Sequence, residues 1–411
     1  MRLENDTITR SLFNKDYLLI VQGNAVSAFG DILYSVAIGY YVYEQTGSST
    51  LMGIMSSISL FVSMVLSPFC GTLVDRLDRK GIIVGMDVLR GVMMLIVGGF
   101  AYTSNLSVSM IMVVAFLAAI CSSLFSPAIT TTLIDIIPSD EMVRGQSIQS
   151  SITSLLNLVG KAVSGMLVVA LGVPVIILLN GVSYLLSAFT EVFIDVPKNT
   201  KQNQEMNGHQ FVEDLKTAIN SIYHHQVLKL FVFSALIVNL LSSGSIALMM
   251  PFVLEKGFTV DQYGYLMSIQ TVASLIAVSL LGIKKLSHKQ RYLTMAYGFI
   301  GSVIFYVLGY MASSYFVMCS FLFIGSFCNV LGNSMFNASL MLALPPQQKG
   351  SILGLVSSGS VAGQALSSVI YGVLGDIFPI GLIFIIGNIL SFIPMCYMCL
   401  HKQTKEFMKE Y

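Results

Sequence analysis

The chain has 411 residues, of which 55% are hydrophobic and only 10% are charged, and its net charge is +1. Its mean hydropathy is +0.78. The charged fraction is far below the value for a typical soluble domain, which is about a quarter. This composition excludes a soluble globular protein and indicates that lipid surrounds most of the chain. The near-neutral charge, without a continuous basic patch, gives no sign of a nucleic-acid partner.

Long apolar runs follow one another along the whole chain. A run of roughly 18 residues or more crosses a membrane as a helix, because a helix satisfies its own backbone polar groups. Twelve such runs leave no room for a soluble domain, so the sequence predicts an all-α integral membrane protein with twelve transmembrane helices. The predicted spans are 17–43, 50–73, 82–103, 107–137, 146–171, 174–195, 226–254, 261–283, 290–311, 315–343, 350–375 and 379–400.

Basic residues are concentrated in alternate loops. If the N-terminus is cytoplasmic, almost all of the 22 Lys and Arg residues lie on the cytoplasmic side, and Lys256 is the exception in an outer loop. Cytoplasmic loops carry an excess of Lys and Arg. The sequence therefore predicts a multi-pass protein of the cell membrane with both termini in the cytoplasm.

The longest polar stretch divides six predicted helices from six. We therefore expect an N-terminal six-helix bundle (1–196), a cytoplasmic linker (197–225) and a C-terminal six-helix bundle (226–411). Weak sequence matches between the halves at one common register support a duplicated unit. A short amphipathic helix is predicted in the linker, where three apolar residues fall at helical spacing. These residues are Phe211, Leu215 and Ile219.

The segment after the second predicted helix carries a specific motif. It reads Gly71-Thr-Leu-Val-Asp75-Arg76-Leu-Asp78-Arg79-Lys80. This segment resembles the G-x-L-x-D-R-x-x-R-K signature of the major facilitator superfamily, and residues 46–48, 87–90 and 127–144 are similar to its macrolide-efflux-like branch. The resemblance implies two six-helix bundles of the major facilitator type, transport by alternating access and export of amphipathic drugs such as macrolides.

The same resemblance implies a cytoplasmic gate. In the superfamily, the loop Asp meets the N-terminal end of helix 11, and the loop Arg meets an acid at the cytoplasmic end of helix 4. Asp135 is the equivalent acid here, and the segment starting near Gly350 is the equivalent helix end. The alternative is that the basic residues only fix the topology. The gating residues are Gly71, Asp75, Arg76, Arg79, Lys80 and Asp135.

Two charged residues are predicted deep in the membrane. A charge there costs at least about 2.5 to 3.5 kcal/mol, so it is a candidate functional residue. Asp31 in helix 1 and Lys161 in helix 5 lie at similar depths and can pair. Protonation of Asp31 would break such a pair and couple transport to protons. The alternative is a static ion pair or the lining of a water-filled cavity. Helix 4 contains no Arg, which proton-coupled exporters of the superfamily commonly carry there.

Polar stripes mark a candidate substrate cavity. Helices 1, 4, 7 and 10 line the central pathway in this superfamily, and each carries polar residues, on helices 1, 4 and 10 at spacings of three or four. For Ser and Thr, hydrogen bonding between helices is an equally good explanation. The candidate residues are Asn24, Ser27, Asp31 and Tyr34 on helix 1, Ser122, Ser126 and Thr130 on helix 4, Asn239 on helix 7, and Asn329, Asn333 and Asn337 on helix 10.

The predicted partners are a small amphipathic substrate, protons and the lipid bilayer, and the expected state is a monomer. Two alternatives remain: a transporter of lysophospholipids or of siderophores and other metabolites, and a membrane sensor that binds ligand without moving it. The sequence has no HExxH, G-x-S-x-G or Walker A motif, so neither an enzyme nor direct use of ATP is expected. The six cysteines lie in apolar runs as packing residues, and no cofactor or metal is predicted.

Overall fold

The computed structural model of the protein describes residues 12–138, 141–196, 208–283, 286–345 and 348–410. These ranges form fifteen α-helices and contain no β-strand. The helices are α1 (Lys15–Thr46), α2 (Ser49–Arg76), α3 (Arg79–Tyr102), α4 (Val108–Ile136), α5 (Met142–Leu171), α6 (Val173–Glu191), α7 (Gly208–His224), α8 (Gln226–Ser242), α9 (Gly244–Glu255), α10 (Val260–Ile283), α11 (His288–Met311), α12 (Tyr315–Ala343), α13 (Lys349–Gly375), α14 (Ile380–Leu400) and α15 (Lys402–Glu410).

Within the described ranges, twelve helical stretches are long and apolar enough to cross a membrane. This finding confirms the predicted all-α fold with twelve spans. Polar residues just before the helices set several of the boundaries. The Asp78 carboxylate accepts a hydrogen bond from the Gly81 N–H at 3.2 Å and caps α3, and the Ser107 hydroxyl caps α4 by accepting from the Met110 N–H at 3.3 Å. Such caps satisfy N–H groups that have no partner inside the helix.

The seventh predicted span is interrupted. The sequence predicts one helix over 226–254, whereas the structure has α8 and α9 with a break at Ser243. Two side chains of α13 bind the backbone at the break: the Ser367 hydroxyl accepts from the Gly244 N–H at 2.8 Å, and the Tyr371 hydroxyl donates to the Leu241 carbonyl. These bonds stabilise the interruption, because an unpaired backbone group is costly in an apolar interior.

The chain divides into two compact units, which are Met1–Ile38 with Val65–Gln202, and Gly39–Met64 with Asn203–Tyr411. The first unit thus holds most of α1, the end of α2 and helices α3 to α6. The second unit holds α7 to α15 together with the end of α1, the turn that follows it and the larger part of α2. The division therefore differs from the predicted bundles 1–196 and 226–411 at residues 39–64.

Each unit has its own apolar core. In the first unit, Tyr17 and Ile20 of α1 pack with residues of α2, α3 and α4. In the second unit, Phe231 and Phe336 pack with residues that include Met408 of α15, so this terminal helix joins the core. Burial of these side chains drives packing in the parts of the helices that face one another.

The predicted linker is described only in part. Residues 197–207 lie outside the described ranges, and so do the side chains of Phe211 and Leu215. The expected short helix is α7. Of the predicted apolar face, only Ile219 has a described side chain, and it is half exposed, while Ala218 and Ile222 are buried in the core of the second unit. The described part of α7 therefore packs into that core through Ala218 and Ile222 and not through Ile219.

Candidate functional site

Asp31 lies in the middle of α1, inside the first unit, and its side chain is partly buried. Its carboxylate accepts hydrogen bonds from the Tyr184 hydroxyl at 2.5 Å and from the Asn180 side-chain amide at 3.3 Å, both on α6. The neighbouring Gly30 makes this contact possible. A Cβ atom at Gly30 would lie 2.5 Å from the Asn180 side-chain oxygen and would also collide with Ser183. The missing Cβ atom at Gly30 thus leaves the space that the Asn180 and Ser183 side chains of α6 occupy.

Three further ionisable side chains lie next to this site and are almost completely buried. Asp87 and Arg90 on α3 form an ion pair one turn apart, and Glu191 lies at the end of α6. Their exposed fractions are 0%, 4% and 0%. The Arg90 guanidinium also lies 4.3 Å from the centre of the Phe125 ring on α4, in a cation–π arrangement. The guanidinium of this site therefore comes from α3, whereas α4, where proton-coupled exporters of the resembled superfamily commonly carry an Arg, has none.

Hydrogen bonds connect the Asp87–Arg90 ion pair to Asp31. Arg90 donates a hydrogen bond to the Tyr184 hydroxyl at 3.4 Å, and Tyr184 in turn donates to Asp31. Glu191 accepts a hydrogen bond from the Ser187 hydroxyl at 3.2 Å. We define the buried charge cluster as Asp31, Asp87, Arg90, Tyr184 and Glu191. Protonation of one carboxyl in such a cluster changes the forces on the others, since charges interact strongly at low dielectric.

Sequence reasoning missed most of this cluster. The sequence analysis named residues 87–90 only for their similarity to the macrolide-efflux-like branch and did not single out Glu191. Two signals were available. Asp87 and Arg90 stand three residues apart inside an apolar run, which is the spacing of an intrahelical ion pair, and Glu191 is the only charged residue between Val173 and the end of α6.

The predicted pair between Asp31 and Lys161 is absent. Both residues lie in the described ranges, and no ion pair joins them there. The hydrogen bonds of Asp31 come from α6. Lys161 of α5 is partly buried, and the preceding Gly160 faces Ile32 of α1. Equal depth therefore did not mean contact, because depth along a helix does not fix which side of it a residue occupies.

The predicted gate is described in part. Arg79, at the start of α3, is buried and forms an ion pair with Asp135 near the end of α4, as the family resemblance implied. Lys80 follows in the first turn of α3 and is partly exposed. The side chains of Gly71, Asp75 and Arg76 lie outside the described part of the chain.

The polar stripes of the first unit differ from one another. Ser27 is buried, and its hydroxyl donates back to the Gly23 carbonyl of α1 at 3.2 Å, so the expectation that it faces a cavity is wrong. Its neighbours Asn24 and Tyr34 are partly buried. On α4, Ser122, Ser126 and Thr130 are all exposed on one side of the helix. The α4 stripe therefore stays available to a ligand.

The second unit contains a cavity of about 220 Å³. Three of the predicted asparagines line it, namely Asn239 of α8 and Asn333 and Asn337 of α12. Asn329, the remaining candidate on α12, holds Asn333 in place by accepting its side-chain N–H at 2.9 Å. The remaining wall is mostly apolar and comprises Ala235, Val238, Phe299, Phe336, Leu340, Val356 and Met395, with Ser234 and Ser360. The structure thus brings the helix 7 and helix 10 candidates to one cavity.

The turn between α1 and α2 contacts the end of α13 within the second unit. The Asp376 carboxylate accepts hydrogen bonds from the Ser49 N–H at 2.5 Å, the Thr50 N–H at 3.2 Å and the Ser48 hydroxyl at 2.9 Å. Burial alone would raise the pKa of the Asp376 carboxyl, but these hydrogen bonds outweigh it and lower the pKa below its usual value. Asp376 therefore acts as an anionic cap on the first turn of α2.

Comparison with known proteins identifies the family. The model of the Major Facilitator Superfamily matches residues 21–367. The chain is a member of this superfamily. Its proteins carry small molecules across membranes, which agrees with the twelve spans and with the predicted class of transporter.

Individual relatives of the superfamily are distant. Macrolide efflux protein A of Streptococcus pyogenes is 25% identical over 200 residues, which are 49% of this chain and 49% of that protein. The chain thus spans about half the length of this relative in the match. The MFS-type transporter YfiS of Bacillus subtilis is 22% identical over 385 residues, or 90% of this chain and 89% of that protein.

A solved structure has the same fold. It is a bacterial homolog of the human lysosomal transporter Spinster in an inward-facing, unoccupied conformation, and its TM-score with this chain is 0.73. The similarity covers 96% of this chain and 97% of the other at 12% sequence identity. This likeness confirms the predicted major facilitator fold and, at that identity, carries nothing about the substrate.

Proposed function

We propose that the protein exports small amphipathic molecules, of the chemical kind that macrolide antibiotics represent, across the cell membrane by alternating access driven by protons. The observation that carries the proposal is the cavity of the second unit, which combines amide groups with aromatic and aliphatic walls. Macrolide efflux protein A, whose name states its substrate, supports the same direction of transport and class of compound.

The cavity chemistry favours an amphipathic ligand. The amide groups of Asn239, Asn333 and Asn337 donate and accept hydrogen bonds without introducing charge, and Phe299 and Phe336 offer apolar contact. A volume of about 220 Å³ is below the roughly 300 to 1,000 Å³ of pockets that enclose a whole drug-sized ligand. The cavity would therefore bind one apolar group of a larger substrate, with its polar edge on the amides.

Asp31 is the proposed coupling residue. It is a partly buried carboxylate in the middle of a membrane span, and its partners Tyr184 and Asn180 are neutral. A carboxylate in this setting favours protonation more than one that faces a fixed cation, because only the charged form suffers the full cost of desolvation. Lys161 has no part in this version of the mechanism.

The ion pair between Arg79 and Asp135 supports the proposed cytoplasmic gate. The guanidinium is buried, so the pair is screened less than one at an open surface. The gate would break and reform as the transporter alternates between states. This role assumes the orientation that the basic residues predict, with both termini in the cytoplasm, and a monomer as the transporting unit.

The test is uptake into everted membrane vesicles from cells that express the protein. We expect labelled macrolides or fluorescent amphiphiles to accumulate in the vesicles when a proton gradient is imposed. This accumulation should stop when a protonophore is added. Asn333→Leu should raise the apparent KM about fivefold, since it removes one hydrogen bond of about 1 kcal/mol. Asn105→Leu, in the exposed turn before α4, is the matched control.

Either of two results would count against the proposal. If no amphiphile accumulates but a labelled lysophospholipid or siderophore does, drug export must give way to lipid or metabolite transport. If amphiphiles accumulate equally with and without the gradient, export stands but proton coupling through Asp31 does not.

A further inference from the structure

Two carboxyl groups inside the first unit have oxygen atoms without a hydrogen-bond partner. One oxygen of Asp87 on α3 and one of Glu191 on α6 are fully buried, and neither has a partner among the described residues. The two side chains lie within hydrogen-bonding reach of each other. An unpaired buried carboxylate oxygen is expensive, so two of them side by side require an explanation.

The local charge count points to a missing positive charge. The buried charge cluster contains three carboxyls, of Asp31, Asp87 and Glu191, but one guanidinium, that of Arg90. The remaining member, Tyr184, is neutral, and so are the other titratable groups that face the cluster, Tyr34 on α1 and Cys121 on α4. Full ionisation would leave a net charge of about −2 in a low-dielectric interior, which neighbouring carboxylates avoid by sharing protons.

A proton balances this excess of negative charge better than a metal ion does. Among the described residues, no group of three or more His, Cys, Asp or Glu side chains is placed to hold a metal. Arg90 also contacts Asp87 directly and would repel a cation bound there. One proton, by contrast, makes one orphan oxygen a donor and leaves the other as its acceptor, so that both gain a partner.

We propose that Asp87 and Glu191 form a proton-binding carboxyl pair that holds one shared proton, as a second protonation site beside Asp31. The site lies between α3 and α6 and is distinct from the coupling carboxylate on α1. Its existence is independent of the substrate, although its part in transport rests on the proton-driven function proposed above. The step is a simple protonation: two carboxylates and one proton give a carboxylic acid that donates to the remaining carboxylate.

Arg90 connects the two sites. Its guanidinium is paired with Asp87 and also donates to Tyr184, which donates to Asp31. When the pair loses its proton, two carboxylates attract Arg90, and its bond to Tyr184 weakens. Proton release from the pair thus raises the proton affinity of Asp31, because the positive charge near Asp31 is reduced.

Infrared spectroscopy of the purified full-length protein in lipid nanodiscs tests the proposal without substrate or gradient. At pH 7 we expect the C=O band of a protonated carboxyl, shifted on transfer to heavy water. Glu191→Gln and Asp87→Asn should each abolish the part of this band that belongs to the pair. Either variant leaves a single carboxylate beside the Arg90 guanidinium, and that carboxylate stays ionised. Glu44→Gln, at an exposed position of α1, is the matched control and should leave the band unchanged.

Each outcome decides the proposal. Loss of the band in both variants supports a shared proton, and if one variant does not fold, the other gives the same test. Absence of the band in the wild type would overturn the proposal, and so would its persistence in Asp87→Asn, which would show that Glu191 is protonated alone. Because no transport is measured, a failure of proton-driven export would appear separately, as gradient-independent uptake with the band still present.

Discussion

Replacing Gly53 with alanine should separate the α1–α2 turn from α13. Gly53 lies on α2 directly against α13, where an added Cβ atom would collide with the Ser368 carbonyl and would lie 3.1 Å from the Gly372 Cα. Both obstacles belong to the backbone, so neither can rotate away. Relief requires that the two helices move apart.

The size of the effect follows from this geometry. Overpacking of a closely fitted contact costs about 1 to 3 kcal/mol. If the cost applies only when the helices are in contact, the equilibrium moves about 5- to 150-fold toward the separated state. A contact that is dominant in the wild type would then become a minor or evenly populated state.

Spin-label distances between Gln45 and Ile377 measure this equilibrium. Both positions are exposed at the turn and beyond the end of α13, and the six native cysteines would be replaced first. We expect a second, longer distance in Gly53→Ala. Gly354→Ala is the control, because a Cβ atom there meets nothing within 4 Å. If Gly53→Ala and the control give the wild-type distribution, the close-approach argument is refuted.

Three further predictions concern charged residues. Asp376→Asn should lengthen the same spin-label distance at pH 7. In the wild type, the pKa of Asp376 is lowered in the folded protein. The contact should therefore persist at neutral pH and be lost as the pH falls through that lowered value. Asp135→Asn should destabilise the protein by about 1 kcal/mol, since Asp135 is partly exposed, and a melting curve that does not change would show that the Arg79 pair contributes nothing. Lys161→Met should leave gradient-driven uptake intact while Asp31→Asn abolishes it; equal loss in both would restore the rejected pair.

The spans could be predicted because the membrane imposes a simple rule. Each helix must satisfy its own backbone and present apolar side chains, so length and hydropathy suffice. The break at Ser243 was not predicted, because length and hydropathy describe only the local sequence. The break is stabilised by Ser367 and Tyr371, which are more than 120 residues away in the chain.

The candidate site was predictable only where one helix carries the signal. The three asparagines of α12, Asn329, Asn333 and Asn337, recur every four residues, and the last two line the cavity. The partner of Asp31 depended on how helices rotate against each other, which depth along the membrane does not determine. Helix α6 packs against α1 at Gly30, and this contact places Tyr184 and Asn180 beside Asp31. A glycine in a membrane helix does not by itself identify the helix that packs against it.

The cavity of the second unit is lined by uncharged side chains, and the spans of that unit carry charged residues only near their ends. The charges deep in the membrane belong to the first unit. Under the function proposed above, selectivity and energy supply would therefore be inherited through different parts of the gene. A hybrid that keeps residues up to the linker and takes the remainder from a relative would acquire a new range of substrates while retaining its original response to pH, and resistance to new compounds could evolve in one half without disturbing the other.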